Sequence, residues 1–196
     1  RGSLNCNVMK VAIFGTFDPF LPDKFPASPS NGVSLLSVKT QSSSSRMIVA
    51  SLGPVGGGAG AGPNNDGSEG CGANMSFLKN TPVEMNEAEV PIRMLRYGLV
   101  PDSGGAGFYR GGSAVEMSIQ VFTPEAIVTA RNRDRCVFTA WGLLGGRAGG
   151  ASRFSKVSTA RQTQELGSTD VVKCDPGDIL TIIGPGGGGY GNPFAR

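Results

Sequence analysis

Glu84, Glu87 and Glu89 crowd into one short stretch of a chain with 15 acidic residues and no histidine. Carboxylates set this close can hold a hard cation through oxygen ligands or divide acid and base roles between them. The same residues also fit a solvated turn or short helix, with the glutamates on its surface or paired to Arg93 and Arg96. With Asp102, in the run Pro101-Asp102-Ser103-Gly104, Glu84 and Glu87 are the candidate catalytic residues. Asp134 lies between Arg133 and Arg135, the pattern of a structural ion-pair node. Cys136 adjoins that basic pair, which would lower a thiol pKa, but without an imidazole partner a small buried thiol is the simpler reading.

The absence of histidine removes the Ser-His-Asp mechanism, most neutral-pH general bases and histidine-containing zinc sites from this chain. Cysteines at 6, 71, 136 and 174 show no C-x-x-C spacing, so no metal ligand is expected among them. Residues 184–189 satisfy G-x-G-x-x-G after an apolar run, but only seven residues follow Gly189. That leaves no room for the helix and downstream carboxylate of a dinucleotide site, so the segment reads as a glycine-rich closing loop. No G-x-x-x-x-G-K-[ST] is present either, and no cofactor-binding residue is expected in this chain. A formal charge of +3 from scattered Lys and Arg offers no continuous basic stripe, which argues against nucleic acid. No signal peptide or long apolar run is visible, so the expectation is a cytoplasmic protein with reduced thiols and no membrane contact.

The elements that must position these residues are β-rich. Thirty-one glycines and thirteen prolines are too many for a helical bundle. Residues 1–52 read as an irregular N-terminal segment with short strands, including the apolar runs 11–14 and 33–36, a proline cluster, and a strand over 47–52. Residues 53–196 read as a glycine-rich β domain. Strands are expected over 92–100, 113–122, 126–130, 137–141 and 179–183, divided by Gly, Pro, Asp and Asn. Alternation places Met117, Ile119 and Val121 on one buried face. Trp141, Ile179 and Ile182 are expected to join them, the indole as a large apolar anchor. Arg131, Arg133 and Arg135 alternate and on a strand would share a face toward an anionic substrate or an acidic partner. The fold class is mainly β: a glycine-rich sandwich or barrel-like sheet with long ordered loops and little helix.

The run Asn80-Thr81-Pro82-Val83-Glu84 with Glu87 and Pro91, followed by residues 97–112 (YGLVPDSGGAGFYRGG), resembles the C-terminal signature of hydantoinase B / 5-oxoprolinase proteins. Further resemblances follow in order: Asp134-Arg135, Trp141-Gly142-Leu143, Gly145-Gly146, Lys173, Gly177-Asp178 and the ending Pro185 to Pro193. The resemblance implies ATP-dependent opening of cyclic amides such as hydantoins, 5-oxoproline or lactams, or the related biotin-independent carboxylation of ketones. It implies a hetero-oligomer with a hydantoinase A-type nucleotide-binding subunit and the remaining N-terminal portion of the B-type subunit. ATP with Mg and a divalent metal belong to the complete complex. The family's metal ligands are histidines and aspartates nearer the N-terminus, a region this chain is expected to follow, so none is assigned here. The glycine segments 56–62, 104–107 and 186–191 are expected to be ordered at a subunit junction, because fixing so much glycine must be compensated by close backbone packing.

Overall fold

The computed structural model describes residues 2–21, 23–41, 46–71, 80–131, 135–167 and 171–195. Among these, nine strands form two antiparallel sheets. The first, in the order β2-β1-β5-β8, contains β1 (Val33–Gln41), β2 (Met47–Gly56), β5 (Ala126–Arg131) and β8 (Val171–Cys174). The second, in the order β3-β4-β9-β6-β7, contains β3 (Ile92–Leu99), β4 (Val115–Val121), β6 (Arg153–Val157), β7 (Thr163–Glu165) and β9 (Ile179–Ile183). One apolar core joins them: Leu36, Val38, Leu52 and Val128 from the first sheet meet Met117, Ile119, Phe154, Leu180 and Ile182 from the second. The molecule is an open sandwich and not a closed barrel.

Period-two alternation explains the central strand. Met117, Ile119 and Val121 of β4 are all 0% exposed, opposite Ile182 and Leu180 of β9 and Tyr97, Met94 and Ile92 of β3. Each such side chain contributes roughly 1.5–3 kcal/mol when fully buried. Ile179 is only half-buried, because β9 alternates and Leu180 and Ile182 occupy its inner face.

Three local expectations are overturned. The apolar run at residues 11–14 belongs to helix α1 (Gly2–Phe17), not to a strand. Polar and apolar residues are mixed along its sequence and no polar face marks the helical period; Val11 is buried, whereas Met9, Ile13 and Phe17 are exposed. Residues 137–141 form no strand. Val137 and Phe138 are exposed, and Trp141 is 41% exposed, with the Arg135 guanidinium 5.2 Å from its ring centroid. The indole therefore caps the surface under a cation instead of anchoring the core. Arg131 ends β5 and Arg135 turns inward at φ 56°, donating to Thr139 O at 3.0 Å and Ser28 Oγ at 2.7 Å, so these two share no strand face. Arg133 and Asp134 lie outside the described residues, as does the polar tract 42–45.

Beside the sandwich lies a bundle of extended glycine-rich segments with residues 184–191 at its centre. Gly186 and Gly189 donate to Gly150 O and Arg147 O, Gly187 and Tyr190 to Gly112 O and Tyr109 O, and Gly188 and Gly191 to Ser28 O and Leu143 O. Residues three apart thus address the same side, the repeat of a polyproline II backbone. An isolated polyproline II strand leaves its polar groups to water; here neighbouring backbones take them up. Space makes glycine necessary. Gly187 and Gly188 do not have positive φ, but an added Cβ would lie 1.9 Å from Ala59 O at Gly187 and 2.0 Å from Trp141 O at Gly188. The backbone packing that compensates the ordering cost of these glycines is supplied by this chain itself.

Candidate functional site

Of the candidate carboxylates, Glu84, Glu87 and Glu89 are displayed by one short helix and Asp102 by a turn. Helix α2 (Val83–Glu89) starts after Asn80-Thr81-Pro82, whose proline blocks helix further upstream. It turns Asn86 and Val90 inward and leaves Glu84, Glu87 and Glu89 exposed. Glu87 Oε1 accepts the Met94 backbone N–H at 2.7 Å, tying α2 to the edge strand β3. The arginines expected to neutralise this cluster go elsewhere: Arg96 Nε lies 3.2 Å from Glu116 Oε2, and the Arg93 guanidinium lies 5.8 Å from the Phe122 ring centroid. Asp102 occupies a tight turn at φ 55°, beside the glycine bundle.

Glu87 and Glu89 line a half-open cleft of about 740 Å³ with Lys39, Glu125 and the hydrogen-bonded pair Thr40 and Thr123. Glu84 and Asp102 are not on its wall. Glu84 and Glu87 lie three residues apart on α2, and Asp102 lies in a separate turn. Among the described residues no three His, Cys, Asp or Glu side chains are grouped so as to hold a metal ion. The donor set present among the described residues does not fit a divalent metal site.

A second constellation surrounds the Asn80-Thr81-Pro82 segment and was not singled out from sequence. A cavity of about 310 Å³ is lined by Gly53, Pro82, Val83, Asn86, Met94, Tyr97 and Met117, together with Asn80 and Thr81. Asn80 and Tyr97 also border an adjoining cavity of about 300 Å³ that contains Glu69. The Tyr97 hydroxyl lies 2.7 Å from Pro54 O and 2.9 Å from Asn80 Oδ1, so one proton serves two acceptors. Burial pushes the Tyr97 pKa up and outweighs the opposing effect of Asn80, which keeps the phenol a donor at neutral pH. The sequence signal was the compact Asn-Thr-Pro motif; Asn86 was hidden among glutamates.

The strongest polar pair serves the fold. Lys156 Nζ meets Asp178 Oδ2 at 2.7 Å beneath the Asp175–Asp178 turn, with side chains 17% and 3% exposed. Burial raises the Asp178 pKa, but Lys156 and the Asp175 N–H outweigh it and hold the carboxyl below its usual range. Tyr190 donates to Asp23 Oδ1 at 2.7 Å, and burial followed by that carboxylate pushes its phenol up to about 12. Burial likewise pushes the Cys174 thiol up to about 11, leaving it a poor nucleophile.

The model of the Hydantoinase B/oxoprolinase family matches residues 3–193. The chain belongs to this family. It is 33% identical over 138 residues to 5-oxoprolinase 1 of Arabidopsis thaliana, covering 70% of this chain and 11% of that protein. It is 27% identical over 187 residues to caprolactamase subunit beta of Pseudomonas jessenii, covering 89% of this chain and 31% of the relative. The fold is shared with the ATP-dependent caprolactamase from Pseudomonas jessenii at a TM-score of 0.73 and 23% identity, over 92% of this chain and 32% of that one. Nucleotide-free acetone carboxylase gives a TM-score of 0.71 at 19% identity, over 87% and 27%. The chain thus spans about a third or less of these relatives.

Proposed function

We propose that this chain is the C-terminal part, or a separately encoded small subunit, of an ATP-dependent cyclic-amide hydrolase of the hydantoinase, oxoprolinase or lactamase type. Its role is to shape the active site and the subunit assembly beside a hydantoinase A-type nucleotide-binding partner. The observation that carries this reading is the match along nearly the whole chain to a family whose relatives include 5-oxoprolinase and caprolactamase subunit beta. An unstrained amide is a poor electrophile, so phosphorylating its oxygen makes ring opening accessible; that step is assigned to the partner, with ATP and Mg. The divalent metal is assigned to the remaining B-type portion. The surface supports a hetero-oligomer: α1 carries Met9, Ile13 and Phe17 exposed, continued by Phe20 and Leu21. Exposed apolar side chains grouped in this way mark an interaction surface, and the remaining B-type chain is the cover assigned to it.

The second reading is a subunit of a biotin-independent ketone carboxylase, favoured by the fold shared with acetone carboxylase. A third, a non-catalytic assembly domain with no contact with substrate, is favoured by the solvent exposure of Glu84, Glu87 and Asp102. The assembled complex is tested by following ring opening of 5-oxoproline or caprolactam against bicarbonate incorporation into a ketone. Ring opening is expected; bicarbonate fixation without it would replace the first reading with the second. Glu84→Gln, Glu87→Gln and Asp102→Asn variants that all assemble and turn over normally would assign these carboxylates to the surface and favour the third.

A further inference from the structure

Asn86 is the one polar side chain facing the 310 Å³ cavity from inside α2, and it is 3% exposed. Its backbone is committed, with N–H to Pro82 O at 3.3 Å and C=O to the Val90 N–H at 3.1 Å. Its carboxamide has no hydrogen bond to a described residue and is not sealed off from the cavity it lines. A carboxamide offers two donors and one acceptor with two lone pairs, and burying it unpaired is costly. The other buried polar group near α2, Thr40 in the larger cleft, already pairs with Thr123. The Asn86 cavity therefore contains an unused donor and acceptor side by side, set among the apolar walls of Val83, Pro82, Met94 and Met117. At about 310 Å³ it lies at the small end of ligand pockets, of about 300–1,000 Å³.

We propose that this cavity binds a small cyclic amide, with Asn86 as its specificity-determining residue. A cis amide in a ring presents N–H and C=O on one edge, and a carboxamide meets that edge with two antiparallel hydrogen bonds. A trans amide points the two groups in opposite directions and makes only one such bond. The methylene part of the ring lies against Met94, Met117 and Val83, while the Tyr97 hydroxyl and Asn80 form the polar rim. That the site takes an amide follows from the Asn86 carboxamide; that the amide is cyclic rests on the proposed function above.

The test uses the full chain and δ-valerolactam as probe, with the Asn86 side-chain NH₂ resonances followed by NMR. Saturable shifts of those resonances are expected. N-methyl-δ-valerolactam retains ring and carbonyl but lacks the donor, and should bind at least about tenfold more weakly, the loss of one well-made hydrogen bond. Asn86→Leu, which keeps the branched four-atom skeleton and removes both polar functions, should abolish that preference without lowering Tm. Equal affinity for the two lactams, or valerolactam shifts that bypass Asn86, would overturn the proposal without any variant. The two readings fail separately. Lactam binding through Asn86 in a complex that fixes bicarbonate and opens no ring would leave the pocket standing and overturn the function. Ring opening with unchanged KM in the Asn86→Leu complex would do the reverse.

Discussion

Lys156 and Asp178 form a largely buried ion pair whose pKa shifts fix a pH window for stability. The Asp178 pKa is depressed, so its contribution is present above the unfolded aspartate value of about 3.9 and is lost as pH falls through the lower folded value. Burial lowers the Lys156 pKa, but Asp178 more than reverses this; the contribution of Lys156 is full below about 10.4 and is lost as pH rises through the higher folded value. Asp178→Asn should cost about 3 kcal/mol at neutral pH, because it leaves the largely buried Lys156 ammonium with the Lys173 carbonyl but no counter-charge. Tm measured from pH 2 to 7 should then show a shallower acid decline than the parent; an unchanged slope would show that other carboxylates govern it. At this scale the inward positions of β4 were legible because alternation alone determines them. Trp141 was not, since a residue type says nothing of whether a cation will hold it at the surface. Asn86 was not legible either, because its role depends on a cavity built from β2, β3 and β4.

The glycine segments pose the element-scale question of space against flexibility. Gly187→Val should destabilise by about 3 kcal/mol or more, since its Cβ would need the volume held by Ala59 O, 1.9 Å away, and backbone cannot step aside as a side chain can. Gly98→Val is the matched control: it lies on edge strand β3 with no atom within 4 Å of an added Cβ, and should be tolerated within about 0.5 kcal/mol. Equal Tm losses for the two variants, read by thermal denaturation, would refute the bundle as a close-packed element. The glycine runs were visible in sequence as candidates for ordered packing, but their three-residue repeat was not, because it depends on neighbours brought from distant segments. Helix α1 escaped for the opposite reason. Pattern reading depends on contrast between faces, and a helix whose polar and apolar residues are mixed has none.

At the scale of the whole molecule, a two-sheet sandwich and a glycine bundle coexist with exposed apolar groups on α1 and at Val137 and Phe138. The mainly β class was legible from turn residues and alternation; the family was legible from ordered motifs, and the match over residues 3–193 establishes it. Substrate chemistry was not legible in composition. No helix among the described residues is long and apolar enough to cross a membrane. Under the proposed function this chain supports the chemistry of a complex and does not perform it alone. The most direct measurement is ATP-dependent opening of 5-oxoproline or caprolactam by this chain, by its partners, and by the reconstituted mixture, with MgATP binding to the chain alone followed by calorimetry. Product should form only in the mixture, and the chain alone should give no binding heat. Ring opening by the isolated chain, or submicromolar MgATP binding to it, would contradict the account.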